Sequence, residues 1–166
     1  MKRKVSLEQT YPYPPARVWQ ALTDPEALGE WLMKNDFQAK VGHVFQFRAK
    51  PQPGWNGIVD CEVIVVDAPR TLAYRWRGNP GEDRSKSREI NTIVTWSLDP
   101  IDAGAGTRLR LEHDGFEGVI GVALSHLLER GWKKMLAERF EPALLRLREG
   151  SHVATDVAND CHTSAD

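Results

Sequence analysis

Few residues of this chain are of a type and at a spacing that do chemistry, and His113 is the first of them. It ends a segment, Thr107 to His113, in which Leu109, Leu111 and His113 alternate with Arg108, Arg110 and Glu112. That alternation puts an imidazole on the apolar face of a strand. A neutral imidazole there can orient a ligand hydroxyl or act as a general base. It can equally be a core residue whose ring nitrogens are bonded within the fold. Cys61 has no histidine at an activating spacing and reads as a small buried hydrophobe. His43, His126, His152 and His162 form no ligand pattern with cysteines or carboxylates, so no metal is expected. Asp99 and Asp102 share one turn and do not read as an acid–base pair. Walker, G-x-G-x-x-G and G-x-S-x-G motifs are all missing, and no cofactor is expected. No catalytic constellation assembles, and His113 is the sole catalytic candidate.

The bulk numbers narrow the class. A chain of 166 residues with net charge -1 suits one domain with its own core and carries no basic excess for nucleic acid. No apolar run approaches the roughly 18 residues that span a bilayer. The basic start, Met1-Lys2-Arg3-Lys4-Val5, lacks the apolar stretch of a signal peptide, and two cysteines make no disulfide framework. A cytoplasmic location is the expectation. Arg84, Lys86 and Arg88 are interleaved with Glu82, Asp83 and Glu89, which reads as a solvated face. Six tryptophans are the compositional oddity. Five of them fall on predicted elements, and Trp55 falls in a loop.

The elements that must position these residues follow from periodicity. Arg3 to Tyr11 alternates as a strand and is stopped by Pro12-Tyr13-Pro14-Pro15. Pro14-Pro15 opens a short helix, and Asp24-Pro25 reads as N-cap and first residue of a second. Strands are then predicted over Phe37–Lys40, His43–Ala49, Gly57–Asp67, Thr71–Arg77, Glu89–Leu98 and Thr107–His113. From Gly118 to about Glu149 the pattern becomes helical, with Ile120, Leu124, Leu128, Trp132, Leu136, Phe140 and Leu144 in an i, i+4 stripe flanked by Leu127, Met135, Ala143 and Leu147. About thirty residues make roughly 45 Å of helix, which needs a large partner surface. Gly131 sits beside Trp132 in this stripe, where a glycine costs about 1 kcal/mol relative to alanine and leaves space or admits another backbone. Pro142 should kink or re-cap the helix, and Gly150 should end it. The chain therefore divides into one domain, 1–150, and a polar tail, 151–166.

This order, and several short motifs, resemble the START-like superfamily, also called SRPBCC or the helix-grip fold. The branch it resembles is named for activators of the heat-shock protein 90 ATPase. The matching segments are Pro14-Pro15-Ala16-Arg17-Val18-Trp19-Gln20-Ala21-Leu22-Thr23-Asp24-Pro25, Glu30-Trp31-Leu32, Asn35-Asp36-Phe37 with Val41-Gly42-His43-Val44-Phe45-Gln46-Phe47, Val66-Asp67-Ala68-Pro69-Arg70-Thr71-Leu72, Thr92-Ile93-Val94-Thr95-Trp96-Ser97-Leu98 and Gly131-Trp132-Lys133-Lys134-Met135-Leu136. The resemblance implies an α+β fold: a curved antiparallel sheet of about six or seven strands around a long C-terminal helix, with two short helices after the first strand. It further implies a cavity between helix and sheet, lined by Phe37, Phe47, Cys61, Trp76, Trp96, His113, Leu128, Gly131, Trp132 and Met135, with Trp55 near its mouth.

Three functions remain open on these residues. One is a module that binds a small hydrophobic or aromatic ligand, which an aromatic cavity suits. Another is a cyclase- or hydrolase-type enzyme using the same cavity with His113. The third is an interaction module that regulates a chaperone ATPase, with a chaperone or a second copy of the chain as partner. Fold likeness alone does not choose among them.

Overall fold

Most of the strands form where the alternation placed them, and all belong to one sheet. A computed structural model of the protein describes residues 1–52, 55–78 and 90–147. Its seven strands are β1 Lys2–Tyr11, β2 Lys34–Asn35, β3 Val44–Arg48, β4 Ile58–Asp67, β5 Thr71–Gly78, β6 Ile90–Ile101 and β7 Gly106–Glu117. All neighbours are antiparallel, in the order β1-β7-β6-β5-β4-β3-β2. Two short helices, α1 Pro15–Thr23 and α2 Pro25–Trp31, follow β1. Pro15 occupies the first turn of α1, and the Asp24 carboxylate caps α2 by accepting from the Ala27 N–H at 3.1 Å.

The sheet has one wet and one dry face, as an antiparallel sheet closed on one side requires. Glu8–Arg108 (2.8 Å), Glu62–Arg75 (3.6 Å) and Asp99–Arg110 (3.5 Å) form ion pairs on the outer face. They are solvent-screened and contribute at most about 1 kcal/mol each. The inner face carries Leu72, Tyr74, Val94, Trp96, Leu109 and Leu111, all buried. Trp31 of α2 reaches into this layer, edge-on to Trp96 at 5.7 Å, and donates its indole N–H to the Ala21 carbonyl.

The long helix runs as α3, Gly118–Lys134, continues through one wide turn, Met135–Arg139, and then over 140–147. Within the wide turn the Phe140 N–H donates to the Met135 carbonyl, five residues back rather than four. Pro142 explains the position of this turn. A proline has no N–H to donate and its ring crowds the carbonyl four residues earlier, so the ladder loosens just ahead of it. The freed geometry is used: Tyr11 of β1 donates its hydroxyl proton to the Leu136 carbonyl at 2.9 Å.

Three expectations are corrected. No strand forms over Phe37–Lys40; a two-residue strand at Lys34–Asn35 stands in its place. The Asn35 side chain accepts from the Phe37 N–H, and the Asp36 carboxylate accepts from the Gln46 N–H, so side chains take over the backbone bonding there. The last two strands run further than alternation indicated, reaching Ile101 and Glu117, because only Asp102–Gly104 is needed to turn between them. The first half of α3 is rotated relative to the predicted stripe. Gly121 and Ser125 face the sheet, while Ile120 and Leu127 are 58% and 65% exposed. Gly121 lies against the Phe116 backbone, where a Cβ would be 3.4 Å from its carbonyl carbon, and Arg3 of β1 donates to Ser125 Oγ at 3.0 Å. Small residues let the helix approach the sheet closely, and that closeness turns the bulky neighbours outward. The polar loop around Arg84, Lys86 and Arg88, the stop at Gly150 and the tail 151–166 lie outside the described residues.

Candidate functional site

Helix and sheet meet on aromatic side chains. Phe47, Trp76, Trp96 and Trp132 form a chain of ring contacts, with centroids 5.5 Å apart for Phe47–Trp76, 5.4 Å for Trp76–Trp132 and 5.5 Å for Trp96–Trp132. Phe37 stacks edge-on against Phe45. Cys61 is buried among them, and burial pushes its thiol far up from the ordinary range, so it is no thiolate nucleophile. Trp55, Leu128 and Met135 are half-buried against this cluster, and Trp55 donates its indole N–H to the Ile58 carbonyl at 3.1 Å. The structure thus brings together the side chains the sequence singled out.

His113 lies at the centre, fully buried, between Trp76, Phe116 and Trp132. Trp132 Nε1 is 3.1 Å from His113 Nδ1, His113 Nε2 is 2.7 Å from Thr92 Oγ1, and Thr92 Oγ1 is 2.8 Å from the Trp76 carbonyl oxygen. Donor chemistry assigns the protons. An indole nitrogen only donates, so Nδ1 is the bare acceptor and Nε2 carries the hydrogen. Nε2–H donates to Thr92, whose own hydroxyl proton goes to the carbonyl. The relay runs from α3 through β7 and β6 to β5 with every member satisfied. Burial holds the His113 pKa down at about 3. A neutral ring with both nitrogens engaged has no free lone pair for a substrate, so this geometry makes His113 a positioning group for Trp132 rather than a base. Thr92 was visible in the sequence only as a lone hydroxyl among Val94, Trp96 and Leu98; the partner that gives it a role lies on another strand.

A second buried polar pair, Trp96 Nε1 donating to Tyr74 Oη at 3.0 Å, braces the neighbouring ring. Among the described residues every buried side-chain nitrogen and oxygen has a partner. No group of three His, Cys, Asp or Glu is gathered there for a metal.

Gly131 differs from its surroundings. A Cβ built on it meets nothing within 4 Å. The glycine therefore does not admit another backbone; it leaves open space one residue from Trp132. Leu128 and Met135, one turn away on either side, are half-buried. A separate groove of about 440 Å³ lies on the outer sheet face near Arg75, Asn91, Glu112 and Asp114, away from these residues.

A curved antiparallel sheet gripping a C-terminal helix agrees with the comparisons. The model of the family "Activator of Hsp90 ATPase homolog 1-like protein" matches residues 12–144. The chain belongs to this family. The chain is similar to MLL2253 from Mesorhizobium loti, 36% identical, covering 87% of this chain and 98% of that one with a TM-score of 0.73. Two further structures share the fold. BH1534 from Bacillus halodurans is 23% identical, with 87% and 99% of the two chains covered and a TM-score of 0.67. CalU16 from Micromonospora echinospora is 23% identical, with 82% and 71% covered and a TM-score of 0.57. No curated protein matches the chain. No helix of the described residues is long and apolar enough to cross a membrane.

Proposed function

We propose that this member of the Hsp90-ATPase-activator-like family binds a small hydrophobic or aromatic ligand between its long helix and its sheet. The observation that carries this reading is the open space at Gly131, on a half-buried apolar flank of the helix next to Trp132 and Trp76. That flank carries Leu128 and the Met135 thioether, with Trp132 and Trp76 buried behind them, and among the described residues no buried polar side-chain atom is left unpaired there. Such a site selects by shape and ring stacking rather than by charge. The occupied His113 argues against acid–base catalysis in the same place. Thermal-shift screening with apolar and aromatic compounds tests the reading, with tryptophan emission as a second readout. Ligands are expected to raise the melting temperature of the native chain and not of Gly131→Phe, whose ring fills the space. Absence of any shift across a broad apolar panel rejects it.

The family match motivates a second reading, an interaction module acting on a chaperone ATPase. Co-purification with a heat-shock protein 90 and stimulation of its ATPase are the measurements that separate it from ligand binding.

A further inference from the structure

We infer that β1 is a self-pairing edge: two copies of the chain join through their β1 strands, antiparallel and centred on Ser6, into one continuous sheet about a two-fold axis. Among the described residues, β1 lies at the end of the strand order and pairs with β7 on one side only. It is ten residues long and its described span contains no proline before Pro12. The irregularity near its start sets Arg3 opposite Phe116 and Val5 opposite His113. Two steps on β1 thus match three on β7, so the extra residue belongs to β7, near Gly115, and β1 stays extended. A strand edge of this kind exposes unpaired N–H and C=O groups that another strand can take up.

The charge order fits a second β1 to that edge. Lys4, Ser6, Glu8 and Thr10 are exposed on the outer face. Antiparallel pairing centred on Ser6 places Lys4 opposite the partner's Glu8, and Glu8 opposite the partner's Lys4. Val5 then faces the partner's Leu7 on the inner side. Directly opposed unlike charges stabilise such pairs, and like charges destabilise them. Shifting the centre to Lys4 or to Glu8 sets each of these charges against its own copy, and a parallel pairing in register does the same along the strand. Within one chain Lys4 already meets Glu112 at 3.8 Å, and Glu8 meets Arg108 at 2.8 Å. The pairing extends both into a row of alternating sign across the axis, as a two-fold interface of one patch on itself demands.

Sedimentation velocity over a concentration series, with thiol cross-linking, tests this. Both are done on the full chain with Cys161→Ser. The unmodified strand is expected to give a concentration-dependent dimer that weakens with salt. Ser6→Cys lies on the axis and is expected to form a covalent dimer with a short bifunctional thiol reagent. Thr10→Cys is not, since two such residues sit about 26 Å apart in this register. Lys4→Glu is expected to shift the chain to monomer, and adding Glu8→Lys to restore the dimer, with thermal melts verifying that each variant is folded. A monomer at every concentration overturns the inference. So does a dimer indifferent to Lys4→Glu, or equal cross-linking at positions 6 and 10, which moves the interface elsewhere.

Discussion

The indole N–H of Trp132 on the long helix donates to His113 Nδ1 on β7 over 3.1 Å, in a fully buried setting. This bond ties the gripped helix to the sheet beside the open space at Gly131. Trp132→Phe keeps an aromatic ring, though a smaller one, and strands Nδ1 as an unpaired buried acceptor. The expected cost is about 1–3 kcal/mol of unfolding free energy, measured by denaturant titration. A variant as stable as the parent would show that the bond contributes nothing.

His113 also sets a pH dependence. Its folded pKa is held down to about 3 by burial, while in the unfolded chain it titrates near its ordinary value of 6.5. Between these values the unfolded state binds the proton and the folded state does not. Stability from this residue is therefore intact above pH 6.5 and is lost as pH falls toward 3, at about 1.4 kcal/mol per pH unit. His113→Gln, which cannot titrate, is expected to remove this part of the slope, whatever it does to stability at pH 7. Unfolding free energies at pH 7, 6, 5 and 4 for both chains decide the matter.

Gly131 is a helical glycine facing open space, with no contact that an added methyl would violate. Gly131→Ala is expected to stabilise the chain by about 1 kcal/mol. A glycine at that position is consistent with the proposed ligand site. Loss of stability in the alanine variant would mean that the helix needs the glycine for another reason.

Tyr11→Phe removes the donor to the Leu136 carbonyl in the wide turn. A loss of about 1–2 kcal/mol is expected. Hydrogen exchange should report it most strongly in the turn Met135–Arg139 and over 140–147. A uniform change across the sheet would instead place the role of Tyr11 in the core at large.

Alternation and the i, i+4 pattern identified most of the elements, because each depends on a periodicity local to the chain. Asp24 as a helix cap, the long helix and the order of strands were all readable in that way. The same local physics explains why Trp76, Trp96, Trp132 and His113 could be placed on inward faces before any contact was known. Tertiary contacts decided the rest. Ile120 and Leu127 are turned outward because Gly121 and Ser125 bring the helix close to Phe116 and Arg3, two contacts made across the fold. The strand expected from Phe37 gave way to side-chain bonds from Asn35 and Asp36. The role of His113 depended on Thr92 and Trp132, which lie 21 and 19 residues away in sequence and meet it only in the folded sheet. A sequence determines which faces are apolar; how near two faces come, and which donors then find which acceptors, is settled by packing.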